Sequence, residues 1–328
     1  MAKRQRILSG MRPTGRLHLG HLVGALENWV RLQEENDCFY CVVDWHALTT
    51  NYESTADIRG AIIDNAMDWL AAGVDPAKST IFIQSRVIEH AELFLLLAMM
   101  TPLGWLERVP TYKEQMSEIT GKDLHTFGFL GYPTLQAADV LIYKANAVPV
   151  GEDQAPHIEL TREIARRFNH LYGRVFPEPE TKLTSVPRLP GTDGRKMSKS
   201  YNNTIALTEK PDVMKEIVRN MVTDPARVRR TDPGNPDICP VGDYHKVFSS
   251  KERMAEVDRG CRSAGIGCIQ CKGWLFESIQ QKTGPIYERR QEIEQRPDEV
   301  RDMLDQGAER ARTVARETMA EVREAMRI

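Results

Sequence analysis

Two short segments carry side chains suited to handling phosphate. His18-Leu19-Gly20-His21 lies where an apolar, strand-like run (Gln5–Ser9) passes through a Gly/Pro turn (Gly10–Gly15) into a helical pattern. A helix start has unpaired N–H groups and the positive end of the dipole, and both favour an anion. Two imidazoles three residues apart on that first turn can donate hydrogen bonds to phosphate oxygens. Gly20, without a Cβ, leaves room for a flat base against the backbone. The second segment, Lys196-Met197-Ser198-Lys199-Ser200, follows Gly191-Thr192-Asp193-Gly194 and therefore reads as a loop. Two ammonium groups three apart can neutralise the charge that builds on a departing pyrophosphate, which is electrostatic transition-state stabilisation. Taken singly, the first segment also reads as an ordinary surface helix start and the second as a solvated basic loop. Their co-occurrence points to adenylyl transfer from ATP.

A third constellation is Cys239, Cys261, Cys268 and Cys271, spaced C-x21-C-x6-C-x2-C. Four thiolates can hold zinc or an iron–sulfur cluster. Paired zinc knuckles would show two C-x-x-C units and this set has one; four unrelated buried thiols is the remaining reading. Gly265, Gly267 and Gly273 supply permissive backbone for a tight ligand loop. Cys38 and Cys41 also form C-x-x-C, but on a strand their side chains point to opposite faces, so they read as core. Arg227, Arg229, Arg230 and Lys272 lie close in sequence to the cysteine set. They suit the bases or phosphates of an RNA loop, or simply a solvated charged face.

The elements that must position these groups follow from the apolar pattern. Cys38–Val43 is nearly all apolar, as expected for a strand covered on both faces of a parallel sheet. The helix from Gly20 to Glu34 has one buried face, a second helix follows Ser54 as N-cap and ends near Gly73, and Thr80–Ile83 is a further strand. Tyr132–Val150 holds a helix and a strand, Pro156–Tyr172 a helix, and Pro177–Gly194 a loop-rich crossing. Beyond Tyr201 the pattern is helical. The expected fold class is α/β: a Rossmann-like, doubly wound parallel sheet with a second, helical domain. The 328 residues suffice for two domains, and a net charge of −2 excludes a globally basic nucleic-acid binder while leaving local basic patches open. Neither an apolar leader follows the basic N-terminus nor does any run, Leu93–Met100 included, reach the length of a membrane span. A cytoplasmic protein is expected.

Four further segments, Ser9–Gly15, Asp44–Ala47, Gln136–Asp139 and Val148–Gln154, complete a resemblance that runs from end to end. The chain resembles the tryptophan branch of the class I aminoacyl-tRNA synthetases. The resemblance implies ATP-dependent activation of L-tryptophan and its transfer to tRNA(Trp), with Mg²⁺ sharing the triphosphate charge and a homodimeric assembly. It implies a tryptophan site of Leu8, His46, Tyr132, Gln136, Asp139, Val148 and Val150, with Asp139 accepting from the indole N–H. It implies ATP contacts from Met11, Arg12, Gly20, His21, Gly151, Asp153, Gln154, Lys196, Met197, Ser198 and Lys199. His18, His21, Lys113, Lys196 and Lys199 would carry the chemistry. Arg12 departs from the glutamine common at that place in bacterial members. A subgroup with a similar cysteine pattern binds a [4Fe-4S] cluster, which the resemblance favours over zinc at Cys239, Cys261, Cys268 and Cys271. The implied domains are residues 1–200 for catalysis, with the helix 301–328 packing back on them, and 201–300 for the anticodon. A tyrosyl enzyme, a regulatory paralogue that binds tryptophan or RNA without charging, and a small-molecule nucleotidyltransferase are the alternatives.

Overall fold

The computed structural model describes residues 4–118, 123–183 and 189–328. Five parallel strands, β1 (Arg6–Met11), β2 (Asp37–Val42), β3 (Ser79–Ile83), β4 (Ala147–Val150) and β5 (Glu180–Leu183), form one sheet in the order β3-β2-β1-β4-β5. Ile7 sits beside Cys38 on one side and Ala147 on the other. From β1 the chain steps outward through β2 and β3, then returns to β4 on the opposite side of β1. That reversal is a topological switch point, and it leaves a crevice at the carboxyl ends of β1 and β4.

The two-residue period of a strand divides its side chains between two cores. Ile7, Cys38, Tyr40, Val42, Ile81 and Ile83 enter one core. Leu8, Phe39, Cys41, Phe82 and Val148 enter the other. Cys38 and Cys41 thus face opposite ways, and β2 reads as unbroken apolar sequence because both its faces are buried. The first core is closed by α1 (Leu19–His21), a π-helical turn (Leu22–Leu26) and α2 (Glu27–Leu32), so the single helix expected from Gly20 is built in three pieces. Trp29 on α2 stacks on Tyr40 at 4.5 Å between ring centroids, and the Tyr40 hydroxyl donates to the Trp29 carbonyl at 2.8 Å.

Between β2 and β3 stand α3 (Asp44–Asn51) and α4 (Ile58–Ala72). Ser54 does not cap α4: Asp57 takes the N-cap position and no side chain there accepts a bond. Helices α5 (Glu89–Ala98), α6 (Leu103–Leu106), α7 (Pro110–Glu118), α8 (Phe127–Ile142) and α9 (Ala155–Tyr172) follow, the last two flanking β4. The Thr126 hydroxyl opens α8 by accepting from the Phe129 N–H. β5 lies inside what reads as a loop; it is a short outer strand with exposed ends, so it lacks the apolar signature of its neighbours. Residues 184–188 of that expected loop lie outside the described residues.

Beyond Tyr201 the described residues form α10 (Pro211–Asn220), α11 (Pro240–Phe248), α12 (Lys251–Arg262), α13 (Cys268–Glu294) and α14 (Pro297–Met326) and no strand. The foot of α13 is pinned to α4 by the buried Arg290, which meets Asp68 and Asp64 at 3.1 Å each. α14 runs back along the outer strand β3, with Gly307 against the Ile81 backbone and Ala308, Ala311 and Ala315 buried. Arg312 donates to the Arg86 carbonyl just past β3. Among the described residues no helix is long and apolar enough to cross a membrane.

Candidate active site

The crevice at the switch point is a cavity of about 640 Å³. β1 and the turn after it supply Leu8, Met11 and Arg12; α1 supplies Gly20 and His21; α3 supplies His46. α8 presents Tyr132, Gln136 and Asp139, whose spacing of four and three puts them on one helix face. β4 and the turn beyond it give Val148, Val150, Gly151, Asp153 and Gln154. Arg12 is exposed by area yet crowded by protein at the cavity rim. Desolvation lowers its pKa, against an opposing pull from Tyr132.

One end of the cavity is organised by Asp139. Its Oδ2 lies 2.8 Å from His46 Nε2, its Oδ1 lies 2.6 Å from His90 Nδ1, and Gln84 Nε2 donates to both oxygens at 2.7 and 2.9 Å. Burial pushes the carboxyl pKa up, but the hydrogen bonds from His46 and His90 outweigh it and hold the group at about 2. The result is an ionised, buried acceptor in the same cavity wall as Leu8 and Val148, both 5% exposed. Gln84 and His90 escape a reading of the sequence. They stand 55 and 49 residues from Asp139, and neither spacing nor motif pairs them with it.

The other end brings the two basic segments together through backbone pairing. The Leu19 N–H donates to the Ile205 carbonyl and the Leu207 N–H to the Leu17 carbonyl, at 3.0 and 2.8 Å. The His18 and His21 rings then lie with their centroids 3.8 Å apart and their planes tilted by 48°. His21 Nδ1 accepts from the His18 N–H at 3.1 Å, which leaves the ring proton of neutral His21 on Nε2. Burial, then the nearby Lys199 charge, pulls His18 down to about 4; burial, His18 and Lys199 do the same in direction for His21. His18 Nδ1 is buried without a hydrogen-bond partner among the described residues. Lys199 Nζ rests on the carbonyls of Thr14 and Gly15, 3.0 Å from each. Desolvation lowers its pKa to about 8, with Asp68 opposing and Arg12 assisting. Met197 packs beside Gly20, where a Cβ would stand 3.2 Å from its sulfur and 3.0 Å from the His18 ring. The loop is held by the buried Asn203, a third residue not legible in the sequence. Its amide donates to Asp193 and to the Lys196 carbonyl, and its oxygen accepts from the Ser198 N–H.

Not every expected site residue reaches the cavity. Lys113 is exposed on α7, and Lys196 is exposed on its loop; neither lines the cavity, and nor do His18, Met197, Ser198 or Lys199, of which His18 and Met197 lie against the lining residue Gly20. The four cysteines converge around the start of α13. Burial first, then the neighbouring Cys239, Cys261 and Cys268, pushes the Cys271 thiol up to about 12. A Cβ at Gly234 would stand 2.6 Å from Cys261 Sγ, and the Arg227 guanidinium lies 3.9 Å from that sulfur. Among the described residues, however, no group of three or more Cys, His, Asp or Glu side chains is placed to hold a metal ion, so the geometry does not show the expected metal site at these cysteines. Of the basic residues nearby, Arg227 and Lys272 are engaged internally, donating to the Ile266 and Arg219 carbonyls at 2.6 and 2.8 Å. Arg229 and Arg230 are exposed.

Comparison with known proteins bears on this geometry. Residues 1–282 match the family model described as tRNA synthetases class I (W and Y). The tryptophan–tRNA ligase of Thermotoga maritima is 58% identical over 98% of this chain and 99% of its own length. That of Ralstonia nicotianae is 49% identical, covering 98% of each. Among solved structures, the tryptophanyl-tRNA synthetase of Campylobacter jejuni in complex with ADP and tryptophan superposes with a TM-score of 0.88 at 33% identity, over 98% of this chain and all of that one. The tyrosyl-tRNA synthetase of Archaeoglobus fulgidus superposes with a TM-score of 0.68 at 20% identity, a likeness of fold alone.

Proposed function

The chain belongs to the class I tRNA synthetases of tryptophan and tyrosine, and from that premise we propose that it charges tRNA(Trp) with L-tryptophan at the expense of ATP. The observation that carries this reading is the single cavity in which an ionised, buried acceptor, Asp139, and the imidazole of His21 face the same space. Tryptophan enters with its indole between Leu8, Val148 and Val150 and its N–H toward Asp139, with His46, Tyr132 and Gln136 closing the slot. Its carboxylate attacks the α-phosphorus of ATP, the bond to the β-phosphate oxygen breaks, and pyrophosphate leaves. The 3′-terminal ribose hydroxyl of the tRNA then takes the tryptophanyl group and AMP departs. No enzyme nucleophile is required, so the rate comes from positioning and charge neutralisation. His18 and His21 donate to phosphate oxygens, and Lys199 and Lys196 counter the charge on the leaving group. Gly20, Met197 and Ser198 flank the nucleotide, while Met11, Arg12, Gly151, Asp153 and Gln154 line the path of its base and ribose. Mg²⁺, arriving with ATP, shares the triphosphate charge. Lys113 stands outside the cavity lining, exposed on α7.

The tyrosine alternative is disfavoured by the relatives at 58% and 49% identity, both tryptophan enzymes. Retention of both phosphate-binding segments disfavours a non-charging paralogue. Residues 1–200 are assigned to activation, with 301–328 packing back on them, and 201–300 to the anticodon. Cys239, Cys261, Cys268 and Cys271 are assigned to a [4Fe-4S] cluster, which when bound would staple the start of α13 to the loops around it. Support comes from the shared neighbourhood of the four thiols, from Arg227 beside them, and from Gly234, where a Cβ would crowd Cys261. A homodimer is supported by Ile88, Leu95, Met99, Leu103 and Phe127, which are 55–73% exposed around α5, α6 and the start of α8. The reaction is placed in the cytoplasm.

One anaerobic preparation tests these assignments. The expected outcome is aminoacylation of tRNA(Trp) with tryptophan and none with tyrosine, a broad brown absorbance lost on Cys271→Ser, and a light-scattering mass twice that of one chain. Charging with tyrosine alone overturns the function. A colourless, zinc-containing protein overturns the cluster, and a monomer at micromolar concentration overturns the dimer.

A further inference from the structure

Behind Asp139 lies a set of buried side chains that the reaction as derived does not use. Gln84, His90 and Tyr143 do not border the cavity, and each is 0% exposed. The Tyr143 hydroxyl lies 2.6 Å from His90 Nε2, and His90 Nδ1 lies 2.6 Å from Asp139 Oδ1. A buried hydroxyl proton without an acceptor is costly, so Tyr143 donates to Nε2. The ring proton of neutral His90 is then on Nδ1 and is donated to Asp139, and the chain of bonds has one direction. Gln84 Oε1 accepts from the Trp45 N–H at 3.1 Å, which turns the amide nitrogen toward both oxygens of Asp139. A carboxylate offers about four acceptor sites, and the contacts from Gln84, His90 and His46 fill them. An indole N–H must therefore displace one donor. His46 alone of the three borders the cavity, so it gives way while the buried two stay.

We propose that Gln84, His90 and Tyr143 form a positioning clamp that holds one oxygen of Asp139 toward the cavity and thereby sets selectivity for indole over rings without an N–H. The inference rests on the tryptophan reading of the site. A ring lacking the N–H pushes His46 aside and leaves the clamped oxygen unpaired. Once the clamp is loosened, the carboxylate can turn to its remaining donors and the penalty fades.

The test compares tryptophan with its benzothiophene isostere, sulfur replacing N–H, by kcat/KM in pyrophosphate exchange. Wild type is expected to prefer tryptophan by a factor on the order of 10⁴. His90→Leu is expected to cut that preference about tenfold and to raise KM for tryptophan about tenfold, with kcat within about twofold of wild type. His90→Asn, whose amide can donate from near the Nδ1 position, is expected to restore most of the preference. Tyr143→Phe, which removes one oxygen and keeps the packing, gives a smaller loss and guards against misfolding of the His90 variants. An unchanged preference in both His90→Leu and Tyr143→Phe, or His90→Asn no better than His90→Leu, overturns the clamp. A wild-type enzyme that does not discriminate overturns the Asp139 reading instead.

Discussion

Replacing Lys199 by methionine is expected to slow tryptophan-dependent pyrophosphate exchange by a factor on the order of 10²–10³, with tryptophan affinity unchanged. Methionine keeps the length and apolar stem of the side chain and removes only the charge. In the free enzyme the ammonium rests on the carbonyls of Thr14 and Gly15, at the base of the loop that leads into His18 and His21. It is thus poised beside the phosphate path and must leave two neutral acceptors, not a carboxylate, to meet an anion. Removing Lys196 as well is expected to deepen the loss by less, because Lys196 is exposed and its charge is better screened. The acidity of Lys199 adds a second readout. Desolvation brings its pKa to about 8, so the free enzyme loses this cation as pH rises through 8. The value of kcat/KM for ATP, which reports the free enzyme, is expected to fall along that limb. Lys199→Arg stays charged and is expected to hold a flat profile to pH 9. Exchange at wild-type rate in Lys199→Met, or an identical alkaline limb in Lys199→Arg, would remove Lys199 from the mechanism.

What was legible in the sequence is what local pattern controls. The parallel sheet shows itself in β2 and β3 because buried strands leave unbroken apolar runs, whereas β5 hides because its side chains are half in water. Helix α3 is hidden for another reason: it begins directly at the end of β2, with no loop and no side-chain cap to announce it, although it carries His46 into the cavity. Met11 and Gly151, beside strand ends, and Gly20 and His21, at a helix start, are tied to a nucleotide site by the family resemblance, and all four line the cavity at the switch point. Gln84, His90, Tyr143 and Asn203 could not be placed from sequence. Each acts by completing the valence of a group distant in sequence or by holding a loop, and an unremarkable buried polar residue carries no periodicity to betray it. The cysteine spacing could not say how the four sulfurs are placed relative to one another, because that depends on the packing of α11, α12 and α13.

Two glycines inside helices are expected to answer the same substitution with opposite signs. At Gly60, on the exposed side of α4, a Cβ meets nothing within 4 Å. Gly60→Ala should therefore stabilise the protein by about 0.5–1 kcal/mol through helix propensity and the lost freedom of the unfolded chain. At Gly307, in the middle of α14, a Cβ would overlap the carbonyl of Ile81. The obstacle is strand backbone, which cannot rotate aside as a long side chain would. Helix propensity offers at most about 1 kcal/mol, while overpacking against a fixed neighbour costs about 1–3 kcal/mol or more, so the steric term wins. Gly307→Ala should lower the midpoint of thermal unfolding by several degrees, and Gly307→Val should prevent soluble expression. The consequence reaches the site. β3 runs directly into Gln84, and α14 grips the same corner where Arg312 donates to the Arg86 carbonyl. If α14 is forced off β3, Gln84 shifts and Asp139 loses a donor to both of its oxygens. KM for tryptophan is thus expected to rise in Gly307→Ala while KM for ATP stays within about twofold, since no phosphate contact lies on α14. A Gly307→Ala protein as stable as wild type would show that α14 does not approach β3 this closely, and a rise confined to the KM for ATP would break the link from α14 to the indole slot.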